Sequence, residues 1–417
     1  MSPHVTIWII SALATAGVIL RPFGWPEAIW AVAGATLLVV TQLLSPGDAL
    51  TGIAKGTDVY LFLTGMMLLS EIARIEGLFD WLAAIAANRA QGSPTRLFLL
   101  IYGVGTVVTV FLSNDATAVV LTPAVAAAVK AAKTEKPLPY VLICAFIANA
   151  ASFVLPISNP ANLVIYGSHM PPLLQWLPRY LLPSVLSIVA TYLLLRWTQR
   201  TDLKQKISTE TPVPKLSGGG KTAAFGIGAT AIALLVSSAM DVQLGLPTAI
   251  AGSLTAAVVL IGQWKSPWNA VKNISWGVLP LVAGLFILVE ALDKTGLIRS
   301  IGSLLQSDAN RATTSTAWTA GVVVAFASNL TNNLPTGLIA GSALQSAHVS
   351  DQITKAILIG VDLGPNLSVT GSLATILWLN ALRREGLSVS AGAFLKIGVL
   401  VMPPALLLAI GAALMFG

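Results

Sequence analysis

Charged side chains are scarce in this chain of 417 residues, where Asp, Glu, Lys and Arg together make up 10%. A water-soluble protein carries about a quarter, so most of this surface must face something other than water. Cysteine is nearly absent. Cys144 alone excludes a disulfide within the chain and any multi-thiol metal site, and it reads as a small apolar residue inside a helix. The three histidines, His4, His169 and His348, fall outside the apolar runs, so no resident metal or other cofactor is expected. There is no GxxxxGK[ST] phosphate loop, which excludes ATP hydrolysis by this motif within the chain. No nucleophile–base pair stands out, so an enzyme is not expected. The net charge of +7 calls for no nucleic acid, because membrane proteins collect Lys and Arg on cytoplasmic loops.

What the chain has in quantity is apolar sequence, 55% of residues with a mean hydropathy of +0.80. Its apolar runs are often close to the roughly 20 residues needed to cross hydrocarbon as a helix. The expected fold class is all-α and polytopic in the membrane. The first 20 residues lack a basic leader and a small-residue cleavage site, so they read as a first span.

Spans are expected near 5–20, 26–45, 57–74, 138–168 and 176–197, and again near 222–240, 246–263, 275–292, 353–382 and 394–415. Two longer blocks, 97–131 and 313–346, are split midway by SND and SNLTNN. Each is either two spans or one re-entrant hairpin. The polar, Pro/Gly-rich stretch 198–221 reads as a cytoplasmic linker between a first membrane repeat, 1–197, and a second, 222–417.

The halves resemble each other. LFLTGMMLLSEIARIEGL (61–78) lies over PLVAGLFILVEALDKTGL (280–297), pairing Gly65 with Gly284 and Glu71 with Glu290. VVTVFLSN (107–114) lies over VVVAFASN (322–329), and Asn149–Asn162 over Asp362–Thr375. With hairpins each half has five spans, an odd number, so the repeats are inverted. Charge bias agrees. Only Lys55, Arg179, Lys294, Arg299, Arg311 and Lys355 then fall on the side away from the linker, and the other basic residues, Lys265 among them, fall with it. Twelve plain spans are the alternative.

Polar residues at membrane depth mark four breaks: Ser113–Asp115, PISNPAN (156–162), SNLTNN (328–333) and GPNLSVTGS (364–372). Broken helices of this kind coordinate solutes near the midplane of inverted-repeat transporters. Asp115 and Asp362 are the intramembrane acids and the candidate proton-coupling residues, since burial disfavours a charged carboxylate and eases proton exchange. The alternatives are a helix-capping role for Asp115 and a structural pairing for Asp362. Substrate contacts are expected from Ser113, Asn114, Asn159, Asn162, Asn329, Asn332, Asn333, Thr370 and Ser372, whose amides and hydroxyls suit a solute with several OH groups. The amides could instead satisfy one another. Glu71 and Glu290, beside Arg74 and Lys294, read as structural ion pairs.

FLSNDATAVVLTPAV (111–125), ASNLTNNLPTGLIAG (327–341), GVDLGPNLSVTGSLATILWL (360–379) and GMMLLSEIARIEGLFDW (65–81) resemble the arsenite efflux pump family, ArsB, within the ion transporter superfamily. The likeness covers about residues 58–382. It implies export of arsenite and antimonite across a bacterial inner membrane in exchange for protons. It also implies a scaffold and a moving part that holds two hairpins. In related systems a soluble arsenite-stimulated ATPase can couple to such a pump. The first tip has Ser-Asn-Asp where sodium-coupled dicarboxylate carriers of the superfamily have Ser-Asn-Thr, which favours protons over sodium. Such a carrier is the alternative function. Arsenite near neutral pH is mainly the uncharged trihydroxide, and with Cys144 alone no three-thiol site can hold it in a monomer. Oligomeric state is not legible.

Overall fold

A computed structural model describes residues 2–264, 266–347 and 349–415, and these contain helices and no strand. Lys265 and His348 lie outside the described residues. The first half runs α1 (Pro3–Leu20), α2 (Glu27–Val40), α3 (Pro46–Lys55), α4 (Thr57–Ile75), α5 (Leu78–Arg89), α6 (Pro94–Phe111), α7 (Asn114–Ala116), α8 (Thr122–Ala131), α9 (Leu138–Ala150), α10 (Pro160–Tyr166) and α11 (Leu173–Thr198). The second half runs α12 (Gly218–Ala239), α13 (Gly245–Gly262), α14 (Pro267–Val271), α15 (Val278–Lys294), α16 (Leu297–Thr331), α17 (Asn333–Ser346), α18 (Asp351–Leu363), α19 (Leu373–Arg384) and α20 (Ala391–Met415). Six of these, α1, α6, α11, α12, α13 and α20, are long and apolar enough to cross a membrane, and α2 and α9 are apolar but shorter. The protein is a multi-pass membrane protein.

The halves pack reciprocally. α13 lies along α4, and α2 lies along α15. Both crossings are tight because glycine is at the contact: a Cβ on Gly65 would run into the Thr248 carbonyl, and one on Gly284 would come within 2.8 Å of the Ala31 carbonyl carbon. α4 and α15 then end alike. Gly77 (φ 73°) and Gly296 (φ 82°) take the left-handed turn that only glycine adopts freely, and each opens the next helix. The turn leads into α5 in one half and the first part of α16 in the other. Both are helices that the apolar pattern left unassigned.

Three details differ from the sequence reading. The linker is shorter than 198–221, because α11 reaches Thr198 and the glycines 218–220 already belong to α12, capped by Ser217 Oγ on Gly220 N (2.8 Å). It is also held down: Ser208 N donates to Ala132 O (2.8 Å), Asn88 Nδ2 to Thr211 O (2.8 Å), and Ser217 Oγ to Glu76 Oε2 (3.1 Å). Lys355, counted among the basic residues on the far side, is buried in the protein with Asp351 3.5 Å away. His4 is not outside the helices but sits exposed in the first turn of α1.

Candidate functional site

Each polar break has a local cause. α6 stops at Leu112, and Ser113 caps the new helix by accepting from Ala116 N (3.1 Å). The backbone then widens into a π-helical turn over Thr117–Leu121. Pro123 has no N–H to offer the Val119 carbonyl, so the regular ladder cannot run through this turn. In the second half α16 runs to Thr331, and Asn332 (φ 73°, ψ 150°) makes the break, accepting from Leu334 N (3.3 Å) and donating to Thr370 O (3.4 Å).

The two Ser-Asn pairs therefore do not occupy equivalent places. Ser113 and Asn114 open a helix, whereas Ser328 and Asn329 lie in the last turn of α16, before the break. By element order Asn333 is the counterpart of Asn114, and Leu334 that of Asp115.

Three cavities follow α4 and α15. At the end away from the linker is a space of about 570 Å³, with Asp58, Glu290 and Asp293 in its wall. At the linker end is one of about 80 Å³, between α4 (Phe62, Met66, Ser70, Glu71) and the first tip (Ser113, Asp115). Between them a gap of about 20 Å³ is lined by Leu63, Asn114, Asp115, Asn159, Val282 and Asn333. A gap of that size holds a single water. Asp115 borders both smaller cavities, is half-buried, and has no side-chain hydrogen bond or ion pair among the described residues. Among the described residues the one basic residue in the three walls is Lys55, bound to Glu290 at 2.6 Å.

The structure brings Asn114, Asp115, Asn159 and Asn333 to the narrow gap, with Ser113 beside it. Asn159 is engaged there, donating from Nδ2 to Asp362 Oδ1 (2.8 Å) and accepting from Ala161 N (3.0 Å), and the other expected residues are also taken up by the protein itself. Asn162 Nδ2 donates to Ser152 O (3.0 Å), and Asn329 Nδ2 to Ala325 O (2.8 Å) while its Oδ1 accepts from Ser368 (2.7 Å). Thr370 Oγ1 donates to Asn329 O (3.0 Å), and Ser372 caps α19 through Thr375 N (3.1 Å). Asn332 is spent at its break. Asp362 is fully buried between Ser152 and Asn159 (2.8 Å each). Glu71 pairs with Arg74 as expected (2.6 Å), but Glu290 pairs with Lys55 from α3 and not with Lys294, which binds Asp48. Sequence reasoning missed the facing wall on α4, Phe62 to Ser70. The signal was present, since this wall overlaps the family-like stretch GMMLLSE.

The sequence model of the citrate transporters matches residues 7–361. The chain belongs to the citrate transporter family. Within reach of this family, it is similar to an arsenical pump membrane protein of Escherichia coli K12, 26% identical and covering 95% of each chain. A protein of the same name from Yersinia enterocolitica is also 26% identical, over 93% of this chain and 92% of the relative. A putative one from Bacillus subtilis is 23% identical over 92% and 93%. The YdaH transporter of Alcanivorax borkumensis shares the fold, with a TM-score of 0.58 and 14% identity over 99% of this chain and 97% of that one. The citrate transporter family and these relatives make the chain a transporter of ions rather than an enzyme.

Proposed function

We propose that this protein is a secondary active transporter that exports trivalent arsenic as As(OH)3, and antimony as Sb(OH)3, across a bacterial inner membrane in exchange for protons. The observation that carries the reading is the pathway along α4 and α15: among the described residues its narrowest point holds one free carboxyl, and no unpaired basic side chain lines it. A carboxylate or oxyanion cargo would need a cation to offset its desolvation. An uncharged trihydroxide needs only hydrogen bonds, and the amides of Asn114 and Asn333 with Ser113 offer them. Asp115 takes the proton from one side and releases it to the other as the substrate crosses in the opposite direction.

The domain plan fits this cycle: repeats 1–197 and 222–417 with hairpins at 97–131 and 313–346, inverted about the narrow gap. Supporting it, the repeat-matched helices run opposite ways along the pathway. α4 passes from the large cavity at Val59 to the small one at Glu71, whereas α15 passes from the small one at Val278 to the large one at Glu290. With the linker cytoplasmic, Asp115 borders the cytoplasmic cavity. The names of the relatives favour arsenic.

A sodium-coupled carboxylate carrier is the second reading, favoured by the citrate transporter description of the family. Everted vesicles with an acid interior decide between them. Wild-type protein should accumulate arsenite with the imposed gradient, without sodium, and unaffected by citrate; Asp115→Asn should only equilibrate it. Uptake that ignores the pH gradient, or that needs sodium and is blocked by citrate, overturns the proposal.

A further inference from the structure

Asp362 has no exposed surface and lines none of the three pathway cavities. Its Oδ1 accepts from Asn159 Nδ2 and its Oδ2 lies 2.8 Å from Ser152 Oγ. Ser152 Oγ is also 2.8 Å from the Asn149 carbonyl. A serine hydroxyl has one proton to give, and here it meets two acceptors at equally short range. The count closes when the carboxyl supplies the second proton: Asp362 Oδ2–H donates to Ser152 Oγ, and Ser152 Oγ–H donates to Asn149 O.

Charge balance points the same way. No basic side chain pairs with Asp362 among the described residues. On its own helix, Asp351 and Lys355 pair with each other near the start, two turns away or more. The helices packed on α18 bring no buried cation to it. Arg299, Asp308 and Arg311 on α16 are exposed, as are Lys396 on α20 and Arg196 on α11. Arg179 on α11 is bound to Asp351 (3.1 Å), and α9, α10 and α17 carry no charged residue. An ionised carboxylate sealed among two neutral donors costs several kcal/mol. The neutral acid needs only the hydrogen bonds it already has.

We infer that Asp362 is held as a neutral acid, a positioning residue that ties α18 to the 151–159 segment, and that Asp115 is the single exchangeable carboxyl at the constriction. Resting on the antiport reading above, the exchange is then one proton inward for each neutral As(OH)3 outward, so each turnover moves one positive charge. The second intramembrane acid adds no proton to the cycle.

Two measurements on the full chain test this. In the infrared difference between wild type and Asp362→Asn, a carboxylic-acid carbonyl band should be present from about pH 5 to about pH 7, well above the ordinary aspartate range, and Ser152→Ala should shift it. A carboxylate band in its place overturns the assignment. In proteoliposomes clamped with potassium and valinomycin at equal pH, a tenfold arsenite gradient should be balanced at about 60 mV for one charge per solute, in wild type and in Asp362→Asn alike. Balance at half that potential, returning to the full value in Asp362→Asn, would show Asp362 carrying a second proton. Wild-type vesicles that move no arsenite at all would instead refute the antiport reading, and the infrared result would still decide the state of Asp362.

Discussion

Replacing Asn149 by leucine should cost about 1–3 kcal/mol of stability, and the structure says where the loss arises. Asn149 sits fully buried on α9 and donates from Nδ2 to Asn366 Oδ1 (3.0 Å), with Thr375 Oγ1 at 3.3 Å. Thr375 keeps a second partner in Ser372 (2.8 Å), but the Asn366 oxygen has no other donor among the described residues. Leucine matches asparagine in heavy-atom count but is bulkier, so some overpacking adds to the orphaned acceptor in a dry site. Because Asn149 Oδ1 already lacks a partner among the described residues, losing it offsets part of the penalty. The double variant Asn149→Leu/Asn366→Leu removes donor and acceptor together, and should cost less than the two single changes added. Unfolding in mixed micelles gives the numbers. Tryptophan fluorescence is a suitable signal, and one of its sources, Trp378, donates from its indole to the Val141 carbonyl of α9 (2.8 Å). A single variant within about 0.5 kcal/mol of wild type, or a double variant that is additive, would refute the orphaned-acceptor reasoning.

Other perturbations follow from separate parts of the fold. Gly65→Ala should force α4 and α13 apart at the Thr248 carbonyl and cost about 1–3 kcal/mol or more, as should Gly284→Ala at the α15–α2 crossing; thermal melts in detergent check both. Ser113→Ala removes the cap on Ala116 N and should cost about 1 kcal/mol in melts, with Ser113→Asn restoring most of it. The hydrogen bond from Lys294 holds the Asp48 carboxyl below its ordinary range, and the same bond raises Lys294. For the acid, the stabilisation is present above the ordinary aspartate value and is lost as pH falls through the lowered one. For the lysine, it is present below the ordinary lysine value and is lost as pH rises through the raised one. Asp48→Asn should therefore lower the melting temperature at neutral pH, the difference should shrink as pH falls below the ordinary aspartate range, and high salt should shrink it too.

The positions of the polar breaks were legible because apolar helices cannot hide Ser, Asn, Pro and Gly at depth without a local reason. Their internal register was not. Matching VVTVFLSN to VVVAFASN aligned side chains that look alike, yet the backbone breaks before Asn114 and after Asn329. Apolar residues on either side match almost any register, so the break itself, fixed by Ser113 and Asn332, is the only reliable marker. The roles of the amides were also out of reach. Asn159 and Asn162 are three residues apart, but one reaches the narrow gap and the other turns to three carbonyls of the 152–156 segment. That choice depends on which way a short helix is rotated, and its partners are distant in sequence. α5 and the first part of α16 escaped notice because their polar content breaks the apolar run while leaving helical spacing intact. The facing wall on α4 was visible only as a family-like stretch, since Phe62, Met66 and Met67 look like any lipid-facing residues until the tip is seen opposite them.

The two halves are most informative where they differ. At the tips, Asp115 faces its counterpart Leu334 across a gap of about 20 Å³. At the next break, Asp362 stands where the first half has Asn149. Two carboxyls sharing so small a gap would repel, and one would be forced to keep its proton. A leucine at the second tip places no second carboxyl in the gap that Asp115 lines. At the other break the logic is reversed: an asparagine and an acid, both buried, each cross to the opposite half and fasten it, Asn149 through Asn366 and Asp362 through Asn159. A fold built by duplication would, on this reading, have divided one kind of residue between two duties. On the antiport proposal the acid at the gap would exchange its proton, while the acid in the dry seam ties the breaks together through Asn159 and Ser152.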